Sequence, residues 1–134
     1  MKKTYHGSCH CQAVAFEVDL DLQAGTSKCD CSFCTKNRYW KAFAQAKDVR
    51  VLQGQDQLTD YQWGPKHLHL WFCKHCGARP YGTGELEELG GAFYAINLAC
   101  LDDLAPEEWV AAPVFVMDGR HGEYEREADV RGHL

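Results

Sequence analysis

At 134 residues, with 14 lysines and arginines against 19 aspartates and glutamates and a formal net charge of −5, the chain has the size of one domain with a modest core. The acidic balance argues against DNA or RNA as the main partner, because phosphates need a basic face. No run is long enough to span a membrane and no apolar stretch follows Met1-Lys2-Lys3, so a chain without a signal peptide in the reducing cytoplasm is expected.

Residues 4–18 are strand-like. Val14, Phe16 and Val18 alternate with Ala13, Ala15 and Glu17, and Gly7-Ser8 permits a bend before Cys9-His10-Cys11. Residues two apart in an extended segment point to one side, so Cys9 and Cys11 form a pincer and His10 faces away as a surface residue. Gly25 marks a turn over 23–27, and 26–31 reads as a strand. That strand delivers Cys29-Asp30-Cys31-Ser32-Phe33-Cys34, where Cys29 and Cys31 make a second pincer and a turn brings in Cys34. A further strand is expected over 39–44. The basic residues Lys36, Arg38 and Lys41 read either as solvated charges or as a positive rim for an anionic small molecule.

One helical turn is expected at 46–50, then short strands at 51–52 and 58–63 around a turn at Gly54. Gly64-Pro65 breaks the pattern. Residues 67–72 then run into Cys73-Lys74-His75-Cys76-Gly77, which has the spacing and following glycine of a zinc knuckle. His67 and His69 share the face opposite Leu68 and Leu70 and read as surface histidines. Arg79-Pro80-Tyr81-Gly82 and Gly84 suggest a loop. Residues 92–101 form the most convincing core strand, with Cys100 as a buried structural thiol. Pro106-Glu107-Glu108-Trp109 suits a helix start, 114–117 a last strand, Asp118-Gly119 a turn, and the charged tail from Glu123 the surface. The expectation is one mostly β domain over 1–134 with short helices.

In a reducing compartment clustered cysteines bind metal rather than pair with each other, and seven of the eight are clustered, with Cys100 left over. Tetrahedral zinc takes four donors, and a site with three protein ligands keeps a position for water or substrate. Cys9, Cys11, Cys73 and Cys76 would make a closed structural site, and Cys29, Cys31 and Cys34 an open one. Spacing alone also allows Cys9, Cys11, Cys29 and Cys31 against Cys34, Cys73 and Cys76; the first grouping keeps each local cluster whole. Three thiolates leave a divalent zinc near −1, a poor Lewis acid for hydrolysis but a suitable place for a thiol as its thiolate. A zinc deaminase is excluded, because its H-x-E precedes a proline-led C-x-x-C, whereas here His121-Gly122-Glu123 follows and Phe72 leads.

Taken together, Gly7-Ser8-Cys9-His10-Cys11, Cys29-Asp30-Cys31-Ser32-Phe33-Cys34, Phe72-Cys73-Lys74-His75-Cys76-Gly77 and Asn97-Leu98-Ala99-Cys100-Leu101 resemble the glutathione-dependent formaldehyde-activating enzyme family, which also includes centromere protein V. The resemblance covers nearly the whole chain. It implies a β-tent, antiparallel sheets pinned at one end by zinc, with Cys9, Cys11, Cys73 and Cys76 on a structural zinc and Cys29, Cys31 and Cys34 on a catalytic one. It also implies carbon–sulfur lyase chemistry, in which glutathione adds to an aldehyde such as formaldehyde or the adduct is cleaved. Lys36, Arg38 and Lys41 are then candidates to attract the thiol's carboxylates. His121 is a candidate proton shuttle by its titration range, against a plain surface histidine in a turn. The run Thr35-Lys36-Asn37-Arg38-Tyr39-Trp40 departs from the basic pair and small residue of better-known members, which bears on the substrate. The alternative reading is a non-catalytic, zinc-stapled thiol carrier or protein-interaction module.

Overall fold

The alternation around Phe16 becomes a hairpin. The computed structural model describes residues 1–134, and residues 4–18 resolve into two strands, β1 (Lys3–Ser8) and β2 (Ala15–Leu20), paired antiparallel with Gly7 opposite Phe16. Phe16, Val18 and Leu20 turn inward at 0%, 0% and 5% exposure, which for a side chain such as Phe16 is worth about 1.5–3 kcal/mol. A Cβ on Gly7 would overlap the Phe16 ring, so the bend position is glycine for lack of room. The first cysteine pincer occupies the loop of this hairpin.

The chain continues through β3 (Thr26–Cys29), α1 (Ser32–Asn37), β4 (Lys41–Gln45), β5 (Val49–Gln53), β6 (Leu58–Thr59), β7 (Leu68–Leu70) and β8 (Phe72–Cys73). It ends with β9 (Tyr81–Leu86), β10 (Gly91–Asn97), α2 (Pro106–Ala111), β11 (Val114–Asp118) and β12 (Glu123–Glu127). Three sheets result, ordered β1-β2-β5, β12-β11-β3-β4-β10-β9-β7 and β6-β8. The fold is mostly β, as expected, and every pairing is antiparallel except β3 with β11. No helix is long and apolar enough to cross a membrane.

The inner face of the three-stranded sheet packs on the large one. Tyr5, Phe16 and Val18 meet Ala42, Tyr81, Ile96 and Leu98 in a cluster of 15 buried residues that also takes in Cys9 and Cys73. A second cluster holds Cys29, Cys31, Phe33, Tyr39 and Leu70. The two cysteine groups therefore sit in different packing units.

Several boundaries move. The loop expected at 79–84 is instead the start of β9, because the Leu68 and Phe93 side chains fill the space a Cβ on Gly84 would take. The strand expected over 58–63 stops at Thr59. That over 92–101 stops at Asn97, whose side chain accepts the Ala99 N–H and turns 98–100 into a short 3-10 helix. Cys100 is consequently half-buried, its thiol donating to the Arg79 carbonyl at 3.5 Å. The tail forms β12, an edge strand exposed throughout.

Candidate metal centre

Four sulfurs converge where the first hairpin meets the knuckle. Sγ of Cys11 lies 3.7 Å from both Cys9 Sγ and Cys73 Sγ, and Cys76 joins them, with all four within 4.8 Å of one another. A tetrahedron with metal–sulfur bonds of 2.3 Å has edges of about 3.8 Å, so the group fits a four-coordinate ion. The fold prepares it locally. The Val14 N–H donates to Cys9 Sγ at 3.3 Å and the His75 N–H to Cys73 Sγ at 3.4 Å. Gly77, at φ 77°, turns the knuckle so that its N–H reaches the Cys73 carbonyl.

The second cluster has three members and is built at a strand-to-helix junction. Cys29 ends β3, and Cys31 is the N-cap of α1 in extended conformation, with its sulfur accepting the Cys34 N–H at 3.3 Å. The turn expected after Cys31 is thus the first turn of a helix, which lifts Cys34 beside the pincer. The three sulfurs lie within 4.8 Å of one another. Asp30, between Cys29 and Cys31, accepts the Arg120 N–H at 2.8 Å, holding the Gly119 turn against the cluster. Three thiols this close cannot all ionise unaided. Hydrogen bonds from Cys29 and then Cys34 hold the Cys31 thiol well below its usual range, while the same kind of contact with Cys29 and Cys31 pushes Cys34 far up. A divalent cation would resolve that conflict, so the donor set fits a metal here as well. The grouping of whole local clusters is the one the geometry brings together. The other partition is not.

A cavity of about 400 Å³ opens beside this cluster, lined by Cys29 and Cys34 and walled by Trp40 and Trp109. The two indoles meet with centroids 5.2 Å apart, Trp40 arriving ahead of β4 and Trp109 from α2. Tyr39, also at the wall, is buried and donates its hydroxyl to the Ala95 carbonyl at 3.0 Å; burial pushes its phenol far up.

The three basic candidates separate. Arg38 lines the cavity, Lys36 is exposed and does not, and Lys41 is 6% exposed inside the protein with Nζ 3.9 Å from Cys34 Sγ. Arg38 is the C-cap of α1 at φ 53°, a position where glycine is usual. No local motif singles out Lys28, yet it lines the same cavity with Nζ 4.2 Å from the Trp40 ring centre. Its partner ring comes from twelve residues away across the β3–β4 pairing, which no local pattern reveals. His121 is solvent-facing and its Nδ1 pairs with the buried Asp118 at 2.8 Å; His10 and His67 are exposed, and His69 Nδ1 bonds Asp60 at 2.7 Å.

Comparison with known proteins identifies relatives of the chain. The family model described as glutathione-dependent formaldehyde-activating enzyme matches residues 4–117. The crystal structure of a Rhodobacter sphaeroides protein superposes with a TM-score of 0.68 at 34% sequence identity, covering 81% of this chain and 98% of that one.

Proposed function

Because the chain belongs to the glutathione-dependent formaldehyde-activating enzyme family, we propose that it is a zinc-dependent carbon–sulfur lyase that joins a small thiol, glutathione in the family's name, to an aldehyde such as formaldehyde and cleaves the adduct in reverse. The observation that supports this most is the set of three mutually close sulfurs, Cys29, Cys31 and Cys34, two of which line a cavity. In this reading the chain carries two zinc ions, one structural on Cys9, Cys11, Cys73 and Cys76 and one in the open site. Zinc in the open site supplies a position where a thiol is held as its nucleophilic thiolate.

The chain's own residues do the rest. Arg38 and Lys28 attract the thiol's carboxylates, and the indoles of Trp40 and Trp109 keep water from the reacting carbon. Lys41 offsets negative charge next to Cys34. In the forward direction the thiolate sulfur bonds to the aldehyde carbon and the carbonyl π pair moves onto oxygen. That oxygen takes up a proton, balancing the one the thiol released. The reverse reaction breaks the same carbon–sulfur bond. The reaction belongs in the cytoplasm, where thiols stay reduced.

The test is exchange NMR with 13C-formaldehyde at equilibrium with glutathione, which reads interconversion above the spontaneous rate. Acceleration by metal-replete protein, abolished in Cys34→Ser, is expected. Arg38→Ala should weaken thiol binding while leaving the metal content unchanged. Metal-replete protein that gives no acceleration would leave the thiol carrier or protein-interaction module as the better reading.

A further inference from the structure

The cavity beside Cys29 and Cys34 is much larger and much less polar than formaldehyde needs. A molecule hardly bigger than water occupies about 30 Å³, against about 400 Å³ here, and apart from the two cysteines, Lys28 and Arg38 the lining side chains are aliphatic or aromatic. Pro106 and Val110 of α2 extend the wall made by the two indoles. Such a volume lies in the range that accepts a whole small molecule.

Away from the two cysteines, its charged side chains are both cations. Lys28 and Arg38 both line the cavity, neither takes part in an ion pair, and no aspartate or glutamate lines it. Glutathione brings two carboxylates but also an ammonium and two amides. The ammonium would meet the like charges of Lys28 and Arg38 with no aspartate or glutamate to pair it, and the amides would meet apolar walls with few groups to bond.

We infer that this cavity selects a thiol with an apolar body of aromatic size and a carboxylate but no ammonium, in preference to glutathione. The carboxylate sits between Lys28 and Arg38, the body lies against Trp40 and Trp109, and the sulfur faces Cys29 and Cys34. The sulfur's role rests on the thiol–aldehyde reading above; the fit of body and carboxylate does not.

Calorimetric titration of metal-loaded protein with 3-phenylpropanoate, which has the ring and carboxylate but no sulfur, tests the cavity apart from any reaction. It should bind at least about tenfold more tightly than S-methylglutathione. Lys28→Met and Trp109→Leu should each weaken it about tenfold at unchanged metal content, with Lys28→Arg retaining most of the affinity. S-methylglutathione binding as well or better, or affinity for 3-phenylpropanoate unmoved by Lys28→Met, would overturn the assignment. Exchange NMR with 2-sulfanyl-3-phenylpropanoate and 13C-formaldehyde then separates the two readings. If 3-phenylpropanoate binds as expected and no thiol shows accelerated exchange, the lyase reading fails while the cavity's selectivity stands.

Discussion

Nζ of Lys41 lies 3.9 Å from Sγ of Cys34, and that sulfur is its one hydrogen-bond acceptor. Lys41 is 6% exposed, with Nζ near the Tyr39 and Phe43 rings at 5.8 and 6.0 Å, and it belongs to no ion pair. A buried cation is costly unless compensated. Three thiolates around a divalent ion leave one negative charge, which is the compensation at hand. Lys41→Met should therefore act oppositely in the two forms of the protein. It should raise the stability of the metal-free form by about 1–3 kcal/mol, yet weaken metal retention by Cys29, Cys31 and Cys34 about 10–100-fold. Competition against a chelator and thermal melts of stripped protein measure both. Equal metal retention in Lys41→Met and wild type would remove Lys41 from this role.

Gly119 is the other close neighbour of the open site. A Cβ there would overlap the Cys29 sulfur and come within 2.9 Å of Cys31 Cβ. The turn cannot simply back away, because the Arg120 N–H is tied to Asp30 and the Asp30 N–H to the Met117 carbonyl. Gly119→Ala should lose metal from the three-cysteine cluster while the four-cysteine cluster stays loaded. Elemental analysis, expected to fall by about one ion per chain, checks it; full loading would show that the turn yields.

The cysteine groups were legible because thiol chemistry and two- or three-residue spacing are local properties. What spacing left open was which local groups combine, since that depends on the first hairpin reaching the knuckle. The uniform-looking basic run Lys36, Arg38 and Lys41 hid a difference that only packing makes. The end of α1 exposes the first two, while β4 carries Lys41 inward opposite Ser27 of β3. Gly82 and Gly84 suggested a loop because glycine disfavours strands. Here the rings and branches of residues distant in sequence replace the missing side chains. Lys28 and Gly119 were invisible for the same reason: their partners, Trp40 just ahead of β4 and Cys29 at the end of β3, are brought to them only by the fold.

His6 gives the fold a pH dependence of known sign. Its Nδ1 is 3.0 Å from Asp103 Oδ2 and its Nε2 is 3.0 Å from Glu17 Oε2, bridging β1 to the segment before α2 and to β2. Hydrogen bonding to Asp103, then to Glu17, raises its pKa above 6.5. The folded protein thus holds this proton more tightly than the unfolded chain does. The resulting stabilisation is complete below the unfolded value and is lost as pH rises through the folded one. Urea melts should show His6→Gln destabilised relative to wild type at pH 6 and much closer to it at pH 9. The effect should be small, because the ring is largely exposed. A difference that grows toward pH 9 would contradict the assignment.

The two sulfur clusters should differ in what their loss does to the fold. Cys73 is 0% exposed and packs in the same 15-residue cluster as Phe16, Ile96 and Leu98. Its sulfur also joins β8 to the loop between β1 and β2. Releasing a metal there would leave thiols in the main core and cut the link between two sheets. Structural zinc contributes about 10–16 kcal/mol in small domains, comparable with the whole stability of a protein this size. Cys34 is half-buried at the margin of the smaller cluster. Cys73→Ser should therefore abolish cooperative melting, whereas Cys34→Ser should melt cooperatively within a few degrees of wild type and carry about one ion fewer. Circular dichroism with metal analysis on the same samples decides it. If Cys34→Ser unfolds as completely as Cys73→Ser, the three-cysteine cluster is a second staple, and its availability to a thiol falls with it.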